Sequence, residues 1–308
     1  MASGSILQDP SCQAQQNQSI TLADGRKLGF AEFGSISDDA TPLFYLHGLP
    51  GSRLDAALFH PAACEVNVRV MGIDRPGFGL SSSQSNRKLL DSPADVRELA
   101  KYLKLEQYYV FGFSGGGLYA LACAYALPKT ELLGVGVASG MGPWSLGTYG
   151  MKVENRVLFN CICYTPWLAR RLVGLGFAEF IKGTDMVKMK EVLMKNLVPA
   201  DQEFCQVPEI ENIFPLSVAE AFKQGADAMM EDGRIVTSDW GFEPKDIPAK
   251  NTRLWYGTAD VNVPVTMGRY LEEQIPHATL KEYEGDTHFM IMGHVIDFLK
   301  DLVAPAST

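Results

Sequence analysis

The chain has 308 residues, 46% of them hydrophobic, and a formal net charge of −9; that length buries a full core and fits one large α/β domain, or one with an insertion. An isoelectric point near 5.1 argues against a nucleic-acid partner, which needs a basic stripe to neutralise phosphates. The six cysteines (Cys12, Cys64, Cys123, Cys161, Cys163 and Cys205) show neither a zinc spacing nor a dense disulfide framework, and read as buried free thiols in a reducing compartment. Met1 to Gln8 lack the basic segment and apolar core of a secretory signal, so cytoplasm is the expected location.

Residues 1–17, rich in Gln and Ser, read as a loose N-terminal arm. From Ser19 to Phe33 two short strands flank Asp24-Gly25, a hairpin turn pair. Pro42 to His47 is a buried-strand pattern that ends in a loop of small residues, Gly48 to Ser52, stiffened by Pro50. Such a loop turns backbone N–H groups into a crevice. In acyl transfer a donor about 3 Å from the developing oxyanion contributes roughly 3–4 kcal/mol. The Leu49 N–H is assigned as one donor and the Gly115 N–H as the other, with His47 as a prop for the loop.

Arg69 to Ile73 is a further strand. Asp74, in the turn after it, reads as structural, paired with backbone amides or with Arg75. Ser92 and Pro93 mark a helix start, cap and first turn, for a helix running to about Leu103. Next comes a doubly buried strand, Tyr108 to Phe113, followed by small and apolar residues at helical spacing from Gly115. Three successive glycines within this apolar stretch, and Lys104 and Lys129 outside it, fit strand plus helix and not a membrane span.

Between the two stands Ser114, in the frame Gly112-Phe113-Ser114-Gly115-Gly116. A strand that turns into a helix within one residue holds that residue in a strained conformation, and its neighbours crowd so closely that Cβ atoms at Gly112 and Gly116 would clash. The result is an exposed hydroxyl at a helix N-terminus, where free N–H groups favour negative charge.

Leu133 to Ala138 is another strand, after which the alternation stops. Met141 to about Trp240 reads as several helices broken at Thr165-Pro166, Gly174, Gly183 and Pro199. Seven methionines (Met141, Met151, Met186, Met189, Met194, Met229, Met230), with Trp144, Trp167, Phe177 and Phe180, suggest an adaptable apolar cover over a pocket. Strand and helix resume with Asn251 to Tyr256, the turn carrying Asp260, an edge strand from Thr279 to Tyr283, the turn carrying His288, and a helix from about Phe289 to Leu302.

Ser114 attacks an acyl carbon only if a base takes its proton, and an imidazole suits that task. His288 is the candidate base, because His60 and His294 sit within helical runs and His277 in a polar loop. Asp260 would hold its tautomer and stabilise the imidazolium. The three occur in the order Ser, Asp, His, and each falls at a strand's C-terminal end.

With these residues, and with His47-Gly48-Leu49-Pro50, Asp74 to Gly79, Gly257 to Asp260 and Gly285 to His288, the chain from about Ser19 to Leu302 resembles the α/β-hydrolase superfamily in its lidded form. The resemblance implies an α/β fold: a mostly parallel eight-stranded sheet, helices on both faces, and a helical cap after the sixth strand. The domains expected are a core of residues 18–140 and 241–308 and a cap, or lid, of residues 141–240. His-Gly-x-Pro is similar to epoxide hydrolases, but these and haloalkane dehalogenases need a carboxylate where Ser114 stands, so neither activity is expected.

The expected function is a serine esterase or lactonase that cleaves a small to medium, largely apolar carboxylic ester or lactone through an acyl-enzyme on Ser114. Gly48, Met141, Trp144 and Phe289 are the candidate pocket wall, and no metal or organic cofactor is implied. The alternatives are a ligand-binding or signalling protein with little turnover, and a carbon-carbon hydrolase or biosynthetic lyase or cyclase that uses the same triad.

Overall fold

The computed structural model describes residues 6–8, 15–177, 180, 186–248 and 251–304. Eight strands form one sheet in the order β1-β2-β4-β3-β5-β6-β7-β8, where β1 is Gln18–Thr21, β2 Lys27–Gly34, β3 Thr41–Leu46, β4 Val68–Ile73, β5 Tyr108–Phe113, β6 Leu132–Ala138, β7 Thr252–Gly257 and β8 Ala278–Tyr283. β1 and β2 pair antiparallel, as do β2 and β4, and every pairing from β4 to β8 is parallel.

The two-residue period of a strand divides the core into two layers. In β5, Tyr108 and Val110 face one apolar cluster, with α2 (Ser92–Tyr102), α3 (Gly117–Ala126) and α10 (Val265–Gln274). Tyr109, Phe111 and Phe113 face the other, with α1 (His60–Glu65) and α11 (Val295–Val303). Phe111 anchors the second layer, its ring centroid 5.0 Å from that of Phe59 and 5.8 Å from that of Trp255. Gly136 is required there, since a Cβ would stand 2.8 Å from both Phe111 and Trp255.

Between β6 and β7 the described helices are α4 (Val153–Tyr164), α5 (Pro166–Gly176), α6 (Met186–Lys195), α7 (Pro199–Phe204), α8 (Pro208–Ala221) and α9 (Asp227–Val236). Three of them start on proline, where the missing N–H leaves no helical bond unmade. Their own apolar centre holds Val173, Phe180, Met189, Leu193, Val218 and Phe222.

Several sequence expectations change. The arm is tied down where it is described: Leu7 is buried against the second layer, Gln16 Nε2 donates to its carbonyl at 3.1 Å, and Arg53 Nε donates to the Gln16 carbonyl at 2.7 Å. The helix from Ser92 is entered through a 3-10 turn, Leu89–Asp91, so no side-chain cap from Ser92 is needed. Gly174 does not break α5, because one glycine costs only about 1 kcal/mol in a helix. The last helix is split into a 3-10 turn, Met290–His294, and α11. Cys123 and Cys205 are buried as expected, but Cys64 and Cys163 are exposed. Cys12 and the break at Gly183 lie outside the described residues.

Candidate active site

The site stands at the C-terminal ends of β3, β5, β7 and β8. β5 passes into a 3-10 turn, Ser114–Gly116, and then into α3. Ser114 has φ +52°, the left-handed region that costs a residue with a Cβ strain, and the packing around it holds it there. A Cβ on Gly112 would collide with the Gly116 carbonyl, and one on Gly116 with the Leu46 carbonyl. Those two glycines therefore allow the elbow to lie against its own strand and against β3.

His288 Nε2 lies 3.0 Å from Ser114 Oγ, and His288 Nδ1 lies 2.7 Å from Asp260 Oδ2. The carboxylate defines the tautomer: Nδ1 carries the proton and donates it to Asp260, which leaves Nε2 to accept the Ser114 hydroxyl. Asp260 is fixed in turn, its Oδ1 accepting the Asn262 and Val263 amides at 2.7 and 2.9 Å. Both His288 and Asp260 are buried.

The two residues predicted to supply the oxyanion donors lie side by side. A Cβ on Gly115 would stand 2.9 Å from Leu49 Cβ and 3.4 Å from Leu49 N. Among the described residues neither amide is given to another group of the chain. The loop that carries Leu49 is held from behind by Arg75, whose Nη2 donates to the Gly48 carbonyl at 2.9 Å and whose Nη1 donates to that of His47. His47 is fully buried, and its Nε2 accepts the Arg75 amide at 3.2 Å. Burial first, and then the nearby Arg75 charge, lower its pKa well below the usual imidazole value, so it stands neutral as a prop.

Of the two pairings the sequence offered Asp74, backbone amides or Arg75, the structure has the first. Asp74 accepts from the Arg53 and Leu80 amides and from the Arg53 guanidinium, at 2.7, 2.8 and 2.8 Å. The partner of Arg75 is Asp232 on α9, at 2.6 Å. Asp232 also binds Arg87 and takes the Tyr119 hydroxyl at 2.7 Å. Burial raises its carboxyl, but Arg75 and Arg87 together outweigh that and hold it at about 2. This charge cluster is invisible in the sequence because its members lie up to 157 positions apart.

A second clasp was equally hidden. Asp201 on α7 is buried, and its Oδ1 accepts from Thr287 Oγ1 at 2.5 Å and from the Phe289 amide at 2.9 Å, the two residues that flank His288. In the sequence Asp201 is an ordinary acid in the first turn of a proline-started helix, and nothing marks it further.

A cavity of about 630 Å³ opens over Ser114 and His288, and Gly48, Met141 and Phe289 line it. Trp144, expected in the wall, is one layer back, its ring 5.5 Å from that of Phe159, which does line the cavity. Of the seven methionines, Met141 and Met229 reach the cavity, whereas Met189 belongs to the insertion's own apolar centre. Trp167 is exposed.

A serine on a strand-to-helix elbow, hydrogen-bonded to an imidazole that a carboxylate orients, defines an α/β-hydrolase type of site. The chain belongs to the alpha/beta hydrolase family, whose model matches residues 43–299. It is 32% identical over 127 residues to the dihydrolipoyllysine-residue acetyltransferase component of the acetoin cleaving system of Pseudomonas putida, covering 41% of this chain and 34% of that protein. It is 27% identical over 204 residues to lipase 1 of Psychrobacter immobilis, covering 58% of this chain and 59% of that one. The chain thus spans less than two thirds of these relatives. In fold it is similar to an esterase from Exiguobacterium antarcticum, with a TM-score of 0.64, 19% identity, and 94% and 98% of the two chains covered. No helix among the described residues is long and apolar enough to cross a membrane.

Proposed function

We propose that the protein is a serine hydrolase of small to medium, largely apolar carboxylic esters or lactones. Ser114 adds to the acyl carbon as its proton passes to His288 Nε2. Asp260 stabilises the imidazolium that forms, and the Leu49 and Gly115 amides stabilise the oxyanion. The imidazolium then protonates the leaving alkoxide. Water, deprotonated by the same Nε2, adds to the acyl-enzyme and releases the acid with Ser114 regenerated.

The observation that carries this reading is the unbroken line from Ser114 Oγ to His288 at 3.0 Å and on to Asp260 at 2.7 Å, at the floor of a cavity of about 630 Å³. The cavity volume suits a small to medium ligand. The names of the Psychrobacter lipase and the Exiguobacterium esterase lend the ester reading support.

Residues 141–240 serve in this proposal as a cap that sets substrate choice, on a core of residues 18–140 and 241–308. Asp201 and Asp232 join the two, the first at the turn that carries the base and the second behind the oxyanion loop. Turnover of a panel of short acyl esters and lactones tests the reading. Ser114→Ala is expected to lose hydrolysis of every member, and a variant that keeps full activity would refute it.

A further inference from the structure

We propose that Asp55 and Tyr45 form a polar subsite in the cavity wall that binds a hydroxyl group on the substrate, so that the preferred substrates are hydroxylated esters or lactones. This rests on the ester and lactone reading of Ser114 and narrows it.

Most of the wall is apolar, built from residues such as Leu58, Phe113, Phe204, Phe214 and Met292. Its polar side chains divide into two groups. Lys152, Glu154, Asn155, Lys195, Asn196 and Asn262 are partly or fully exposed, so water can satisfy them. Besides the triad's own His288, the buried ones among the described residues are Tyr45, 1% exposed, and Asp55, 8% exposed. The Asp55 carboxyl is already hydrogen-bonded by Ser217 and the Ser52 backbone, which fix it at the wall with capacity to spare. A phenol removed from water and facing an apolar cavity, as at Tyr45, costs stability unless something hydrogen-bonds to it there.

Their placement is local to the chemistry. Tyr45 is the penultimate residue of β3, two positions before His47, and its ring is wedged 5.0 Å from that of Phe59. Asp55 lies in the 3-10 turn Arg53–Phe59 that follows the oxyanion loop, and its Oδ2 lies so close to Gly51 that a Cβ there would collide with it. Neither group is used by the relay from Ser114 to Asp260.

A hydroxyl fits this pair better than a cation does. Burial pushes the Asp55 carboxyl up to about 7, against the pull of Ser217 and Arg75 in the other direction, so it keeps its proton below that pH. A protonated carboxyl and a phenol each donate and accept, as a hydroxyl does. An ammonium group would bring a second charge out of water toward the field of Arg75.

Matched ligands test the assignment: ethyl hexanoate, its monohydroxy positional isomers, and the corresponding aminohexanoate esters. Binding to Ser114→Ala, followed by tryptophan fluorescence or calorimetry, reads the subsite without turnover. At least one hydroxy isomer is expected to bind about tenfold or more tighter than ethyl hexanoate, since a site built to hydrogen-bond a hydroxyl discriminates against the analogue that lacks it. That ratio should fall toward unity when Tyr45→Phe or Asp55→Leu is added, two changes that remove the hydrogen-bonding group while staying close to the original shape. The kcat/KM ratio in protein with Ser114 intact should follow the same pattern. Equal binding of hydroxylated and plain esters, a ratio that survives both substitutions, or a preference for the amino esters would overturn the proposal. A hydroxyl preference in binding by a protein that hydrolyses none of the esters would leave the subsite standing and remove the hydrolase reading.

Discussion

The sheet core and the helical insertion solve different problems with different physics. In the core the backbone does the specifying: parallel strands end together at one edge, and the turns that follow β3, β5, β7 and β8 bring Leu49, Ser114, Asp260 and His288 to one place. Side-chain identity matters there chiefly where glycine lets two backbones touch, as at Gly112 and Gly116. The insertion is built from helices around an apolar centre of its own. It leaves Tyr149, Val153, Tyr164, Trp167 and Leu175 exposed, and it meets the core through buried polar contacts, among them Asp201, Asp232 and the Ser217 hydroxyl, which accepts the Ser52 amide at 3.0 Å. In the proposed function the core carries the chemistry and the insertion the choice of substrate, and the two clasps are among the places where they meet.

Breaking the relay in the core should have the largest effect. Asp260→Asn keeps the shape of the side chain but favours the wrong imidazole tautomer, and kcat for ester hydrolysis should fall by about 10⁴. Steady-state kinetics with unchanged circular dichroism would check this.

Next is the clasp behind the oxyanion loop. Asp232→Ala leaves Arg75 and Arg87 buried without their carboxylate, which should cost about 3–5 kcal/mol of stability. Its pH dependence has a definite sign. The folded carboxyl sits at about 2, below its ordinary 3.8, so its contribution is present above about pH 4 and is lost as pH falls through 2. Denaturant titrations should show the gap between Asp232→Ala and the unaltered protein closing over that window.

Asp55 has the opposite sign. Its folded carboxyl sits at about 7, above 3.8, so the stability linked to it is present below about pH 4 and is lost as pH rises through 7. The groups acting on it are Arg75, Asp74, Ser217 and the Ser52 amide, with Tyr45 beside it. Asp55→Asn does not ionise, so its melting temperature should exceed that of the unaltered protein by several degrees at pH 8 and match it at pH 4.

The smallest effect expected is at the second clasp. Asp201→Ala removes two hydrogen bonds that flank His288 and should lower kcat about tenfold, by about 1.4 kcal/mol, with less change in KM. Asp201→Asn, whose amide oxygen accepts the same two bonds, should restore most of it. Equal losses in the two variants would show that the charge, and not the positioning, matters.

The core was legible in the sequence because its rules are local. Buried strands announce themselves as short β-branched and aromatic runs, with Ser114 and Asp260 just past two of them, and His288 follows an edge strand that alternates in sequence. The misreadings all concern choices that only tertiary structure makes. Arg75 took a partner from α9 in place of its neighbour, and Gly174 stayed in a helix whose remaining residues outweigh it. Trp144 was displaced from the wall by Phe159 in front of it, and the arm gained its anchor from Arg53. Asp201 and Asp55 carry no signature at all. Their importance arises from what the fold packs against them.

The central claim concerns the reactivity of one hydroxyl, and a fluorophosphonate probe followed by intact-mass and peptide analysis addresses it directly. The account predicts one phosphonyl adduct, on Ser114, that is absent from Ser114→Ala and forms far more slowly in His288→Ala. A folded protein that gains no adduct, or one that is labelled equally well without the Ser114 hydroxyl, would contradict it.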